Sequence, residues 1–199
     1  MRLLRYGFFG EDDAQQLFLQ HYLFKLVINK NYKFEVDTNF HLIGGNKSRV
    51  KAQFAEACDT SLSQYRHDCF FVGLDLDSHA MNVFNNTVRE MQKRLADRGL
   101  SAILLIPVQC IEHWLRYFQW REENPQSTKN VTLETEERRH AKTKLYGSPK
   151  VSTQHSNPIV ERLASAMDIA WLASRSASFL FFHKQVEAYL AAIAPEPTA

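Results

Sequence analysis

Four apolar runs, separated by longer stretches of helical periodicity, constrain this chain more than any other feature. The runs are "RLLRYGFF" (2–9), "YKFEVDTNFHLI" (32–43), "HDCFFVGLDLD" (67–77) and "LSAILLIPV" (100–108). The last two are continuously apolar at their centres, the pattern of strands buried on both faces. Between the runs lie "DDAQQLFLQHYLFKLVINK" (12–30), with acids in its first turn, and "NKSRVKAQFAEACDTSLSQY" (46–65). The third intervening stretch, "HAMNVFNNTVREMQKRLADRG" (79–99), ends on a glycine after Lys and Arg. Acids at a helix start, and bases with glycine at its end, are the termini that the helix dipole and the left-handed cap favour. Strand and helix therefore alternate through residues 1–110, which predicts an α/β core: about four strands, mainly parallel, flanked by helices.

Beyond residue 110 the pattern changes. "IEHWLRYFQW" (111–120) reads as helix, "REENPQSTKNVTLETEERRHAKTK" (121–144) as polar and loop-rich, and "NPIVERLASAMDIAWLASRSASFLFFHKQVEAYLAAIA" (157–194) as two helices. The expected organisation is a core over 1–110, a helical extension over 111–193 packed on it, and a flexible tail at 194–199. With 45% hydrophobic and 23% charged residues, the 199-residue chain has the balance of a water-exposed protein with one sizeable core. A net charge of +2 confines any polyanion site to a local patch. The three cysteines, Cys58, Cys69 and Cys110, are odd in number and lack C-x-x-C spacing, so buried, reduced thiols and a cytoplasmic location are expected. No apolar run reaches the roughly 18 residues of a membrane span.

The chemistry concentrates at strand ends. Asp75 and Asp77 are two residues apart at the end of the third apolar run, so in a strand they project from one face. Glu11 follows the first run. The carboxyl ends of parallel strands share one edge, where α/β folds bind ligands, so Glu11, Asp75 and Asp77 are expected to converge. Glu112, in the first turn of a helix after the fourth run, belongs to the same edge. Carboxylates gathered in this way repel one another unless a cation sits among them, and an oxygen-rich set suits Mg²⁺ or Mn²⁺. The turn "GGNKSR" offers backbone N–H groups with Lys47 and Arg49 beside them, but it lacks the pattern of an ATP-type phosphate loop. No H-E-x-x-H, structural-zinc spacing or G-x-S-x-G is present. Cys110 reads as core, and Trp114 with Phe118 as a helix face turned inward.

An acid after the first strand followed by a helix, with D-x-D after a later strand, resembles the Toprim domain of topoisomerases and primases. The layout is closer still to the small Toprim-like proteins related to OLD-family nucleases and to RloB-like phage-defence proteins. Against their E-G-x-x-E/D stretch this chain has "EDDAQQLFL", with Glu11 first, Asp12 in place of glycine and Gln15 in place of the second acid. "IPVQCIEHWLRYF" is similar to the family's I-E-x-W-L segment at Ile111, Glu112, Trp114 and Leu115. "SASFLFFHKQVEAYL" is similar to its S-x-S-F element at Ser176, Ser178 and Phe179.

The resemblance implies Mg²⁺-dependent (or Mn²⁺-dependent) hydrolysis of DNA or RNA phosphodiester bonds, with Glu11, Asp75 and Asp77 as metal ligands. In that scheme Glu112 assists them, and Lys142 or Lys144, of which Lys144 is the site candidate, steadies the transition state. It further implies a role in antiviral defence with an ATPase or sensor partner and no membrane association, and a homo-oligomer is open. Two other classes remain. One is a nucleic-acid-binding or regulatory subunit with little activity alone, which the loss of the acid at Gln15 favours. The other is a phosphoacceptor domain, which the acids at 11–13 allow but the lack of a Lys after "LSAILLIPVQ" disfavours.

Overall fold

The computed structural model describes residues 1–194, with the side chains of Thr38, His41 and Leu42 excepted; the tail expected at 194–199 lies, from 195 onward, outside the described residues. The strands are β1 (Arg2–Gly10), β2 (Tyr32–Ile43), β3 (Cys69–Gly73) and β4 (Ile103–Leu105). The helices are α1 (Asp13–Val27), α2 (Lys47–Ser63), α3 (Met81–Ala96), α4 (Ile111–Glu123), α5 (Arg138–Tyr146), α6 (Thr153–Ser165), α7 (Ile169–Arg175) and α8 (Ala177–Ala192). The strands form one sheet in the order β2-β1-β3-β4, with every pairing parallel. Its central strands, β1 and β3, end side by side at Gly10 and Gly73.

The period of two in the apolar runs sorts their side chains onto two faces. Leu4, Tyr6, Phe8, Phe71, Ile103 and Leu105 enter one core, which they share with Phe18, Leu19 and Tyr22 of α1, Trp114 of α4 and Phe179 and Phe182 of α8. Phe9, Phe70, Val72 and Leu104 enter the other, against Val50 and Phe54 of α2 and Phe84, Val88 and Met91 of α3. The continuous run "CFFVG" is apolar at each position because both faces are covered, and all five residues are buried.

Sequence periodicity misses two features of the second half. The basic end of the stretch read as loop is the helix α5, and the stretch read as two helices is three, broken at Asp168 and Ser176, whose side chains accept from Trp171 N–H (3.0 Å) and Phe179 N–H (3.0 Å) as N-caps. The last helix, α8, lies along the free edge of β4. There Gln185 Nε2 donates to Leu104 O (3.1 Å) and Leu104 N donates to Gln185 Oε1 (3.0 Å), so one side-chain amide satisfies the backbone of an edge residue. No helix among the described residues is long and apolar enough to cross a membrane.

Candidate metal centre at the carboxyl edge of the sheet

Asp75 is the centre of the site. It lies two residues beyond β3 and is fully buried. Its backbone N–H donates to Glu11 Oε1 (2.7 Å), which fixes Glu11 at the end of β1. Its Oδ1 accepts from Gln15 Nε2 (2.8 Å) and from the backbone N–H of Ile111 (3.2 Å). The second contact places Asp75 at the N-terminus of α4, whose N-cap Cys110 makes no side-chain cap bond, so Asp75 serves that helix as a cap supplied from another strand.

Gln15 stands where the resembled pattern has an acid. Its Oε1 accepts from Glu11 N (3.0 Å) while its Nε2 holds Asp75, so a single amide bridges the ends of β1 and β3. The close approach depends on glycine. A Cβ on Gly10 would come within 2.8 Å of Gln15 Oε1, and a Cβ on Gly73 would be closer still.

Glu112, in the first turn of α4, is 3% exposed and meets Lys142 Nζ (3.1 Å) and the Tyr146 hydroxyl (3.4 Å) through Oε1. Arg138 and Lys142, four residues apart on α5, face the acids together. Arg138 Nη2 stands 3.3 Å from Asp75 Oδ2, and its Nη1 pairs with Asp77 Oδ1. Two buried carboxylate oxygens, Asp75 Oδ2 and Glu112 Oε2, nevertheless accept no hydrogen bond. Asp75, Cys110 and Glu112 each present one ligand atom, and the three atoms lie within 4.8 Å of one another. Buried carboxylates with oxygens that accept no hydrogen bond, in so small a space, are a donor set that fits a divalent cation.

The electrostatics follow from this crowding. Burial, then the charges of Asp12, Glu112 and Glu11, push the Asp75 carboxyl well above the usual range. Burial also raises Glu11 to about 7; the Asp75 N–H bond opposes the shift, and the charges of Asp77 and Asp12 add to it. Asp12, the N-cap of α1, is raised by burial and by Glu112. Glu112 moves the other way: burial opposes its ionisation, but the Lys142 ammonium and the Cys110 thiol outweigh burial and hold it below the ordinary range.

The other candidates fall around this centre. Asp77 is solvent-exposed, with a left-handed backbone (φ 55°), and its carboxylate is tied to Arg138 and to Lys47 Nζ (3.4 Å). Lys47 of the "GGNKSR" turn therefore reaches the same edge, where it also donates to Leu76 O. Arg49 instead bonds Gln53 (3.1 Å) along its own helix. Lys144 pairs with Glu136, whereas Lys142 is the lysine that meets the acids. Trp114 and Phe118 are core residues. Sequence reasoning missed Arg138 as a partner of the acids and Gln15 as a bridge. The only signal for Arg138 was its place at the head of the basic run "RRHAKTK".

A pocket of about 370 Å³ opens beside the carboxylates, with Glu11, Asp12, Glu112, Lys142 and Lys150 among its lining residues. No family model matches the chain, and no curated protein or solved structure matches it. The chemistry must therefore be argued from these residues.

Proposed function

We propose that the protein is a divalent-cation-dependent phosphodiesterase of Toprim type, a nuclease acting on DNA or RNA as an effector of antiviral defence. The observation that carries this reading is the pair of buried carboxylates, Asp75 and Glu112, each with an oxygen that accepts no hydrogen bond, at the carboxyl edge of a parallel sheet. Asp75 and Glu112 would hold the cation, with Glu11 and Asp77 at its margin, and the ion, Mg²⁺ or Mn²⁺, would supply charge stabilisation at phosphate oxygens and a more acidic bound water.

The chain's own residues supply the rest. Gln15 and the Ile111 N–H hold Asp75 through Oδ1, so that Oδ2 accepts no hydrogen bond and faces the Arg138 guanidinium (3.3 Å). Arg138, Lys142 and Lys47 ring the acids and offer cationic donors to a phosphate, Arg138 through a fork that can grip two oxygens. Glu11, which burial raises to about 7 while the site is without a cation, would be drawn back toward its carboxylate form by a dication beside it, and so would serve as an anionic acceptor at the margin of the site. The pocket flanked by Lys142 and Lys150 gives an adjoining nucleotide a place to sit.

A second reading, a nucleic-acid-binding or regulatory subunit that depends on an ATPase or sensor partner, has its own supporting observation. Arg138 and Lys142 already neutralise the carboxylates, and the Gln15 amide fills the place of an acid, so the cluster can persist without an ion. The deciding experiment is cleavage of single- and double-stranded DNA and of RNA by wild type, Asp75→Asn and Glu112→Gln, with Mg²⁺, with Mn²⁺ and with EDTA. Metal-dependent cutting by wild type alone is the expected result. Metal-independent binding without cutting, equal in all three proteins, would favour the subunit.

A further inference from the structure

Cys110 has no part in the phosphodiester chemistry above, yet its thiol lies inside the acidic cluster. It is fully buried, as is Asp75, and Glu112 is 3% exposed, with one ligand atom of each within 4.8 Å of the others. Its Sγ is 3.2 Å from His113 Nδ1, and the other ring nitrogen of His113 lies 2.8 Å from Glu136 O, which fixes the imidazole behind the sulfur. The remaining cysteines sit elsewhere, Cys69 on β3 and Cys58 on α2 in the opposite core. Asp75 and Glu112 each give one hard donor through a carboxylate oxygen and Cys110 gives one soft donor; Arg138, 3.3 Å from Asp75 Oδ2, would swing aside as the ion enters.

We propose that Cys110 is the third protein ligand of the Asp75–Glu112 cation site, and that it makes the pocket select a borderline, thiophilic divalent ion of the Mn²⁺–Zn²⁺ series over Mg²⁺. The inference rests on the reading of this pocket as a cation site. Thiolate ligands favour the later, softer divalent ions, whereas Mg²⁺ prefers oxygen donors and retains its waters. Metal–sulfur and metal–oxygen bonds of about 2.3 and 2.1 Å bring tetrahedral ligand atoms to roughly 3.6 Å apart. Side-chain movements of about 1 Å would close the observed spacing to that value.

The test is a Co²⁺ titration of the full chain after removal of metals, followed by absorption. A sulfur-to-cobalt charge-transfer band that saturates at one equivalent in wild type, and is absent in Cys110→Ser and in Asp75→Asn, is the expected result. Cys58 and Cys69 remain in every protein as internal controls, and circular dichroism checks that the variants fold. Competition should show Zn²⁺ affinity falling about tenfold or more in Cys110→Ser while Mg²⁺ affinity is unchanged. Co²⁺ binding to wild type without a sulfur band would overturn the role of Cys110 and leave an oxygen-only cation site standing. A band that survives Cys110→Ser would place the sulfur elsewhere and overturn the proposal. Failure of wild type to bind Co²⁺, Mn²⁺ or Mg²⁺ would overturn both the proposal and the cation-site reading beneath it. If Cys110→Ser does not fold, Cys58→Ser and Cys69→Ser take its place: a band kept in both assigns the sulfur to Cys110, and a band lost in either overturns the proposal.

Discussion

Gln15 shows how one neutral side chain can hold an acidic centre together. Its amide donates to Asp75 Oδ1 and accepts from Glu11 N, two tasks that a carboxylate could not perform at once. Gln15→Glu should put an unpaired charge beside Asp75 and lower the stability of the metal-free protein by about 1–3 kcal/mol. Saturating Mn²⁺ should restore more of that stability than it adds to wild type. Thermal unfolding with and without Mn²⁺ checks this, and equal losses in both conditions would contradict it. Glu11 makes a pH prediction. Its carboxyl ordinarily titrates at 4.5 and is raised to about 7 in the folded protein, first by burial. Between those values the native state binds more protons than the unfolded chain, so this contribution to stability declines as pH rises through that window. Asp75 and Asp12, also raised, act with the same sign. The metal-free protein should therefore melt at a lower temperature at pH 8 than at pH 5, and Glu11→Gln should flatten the slope. The nearness of Glu11, Asp75 and Glu112 was legible because parallel strands end at one edge. The roles of Gln15, Cys110 and Arg138 were not, because each depends on a side-chain approach between segments dozens of residues apart.

At the scale of elements, α5 is the part that the sequence concealed and the site most needs. Only Ala141, Leu145 and Tyr146 of its nine residues are buried, too weak an apolar pattern to announce a helix. Its end is set by Gly147 in the left-handed conformation (φ 79°), and its burial against α4 and α6 comes from tertiary contact. The helical period places Arg138 and Lys142 on one face, toward Asp75 and Glu112. The strands, in contrast, were readable because double-sided burial leaves a continuous apolar run. Arg138→Ala should separate two functions of this helix. Removing a guanidinium that competes for Asp75 should tighten Mn²⁺ binding, measured by calorimetry. On the proposed nuclease reading, removing a donor for the phosphate should slow phosphodiester cleavage by about a hundredfold. Weaker Mn²⁺ binding in the variant would mean that Arg138 organises the carboxylates rather than competing for them.

At the scale of the whole molecule, the site is held in register by a second, buried polar cluster on the α4–α8 side of the sheet. Ser176 and Ser178 donate to Glu134 Oε1 at 2.6 and 2.5 Å, while the Ser178 oxygen accepts from Trp114 Nε1 (2.9 Å) and from Val108 N (3.3 Å). One hydroxyl thus joins the start of α8, the core face of α4, the chain beyond β4 and the loop that leads into α5. That loop is anchored again where Gln109 Nε2 donates to Glu134 O (3.4 Å) and to Glu136 O, two residues before Arg138. The S-x-S-F element, met in the sequence as a motif without a task, is in this structure a clamp between the C-terminal helices and the sheet. Ser178→Ala should leave the Trp114 and Val108 N–H groups without that acceptor, and Glu134 with one donor fewer, in a space closed to water. The expected cost is about 2–4 kcal/mol, read as a lower midpoint in urea with an unchanged slope. Because the loop before α5 hangs from the same cluster, amide exchange should quicken there as well as in α8. A loss of stability confined to α8, with α5 exchange unchanged, would mean that the clamp and the carboxylate site are independent.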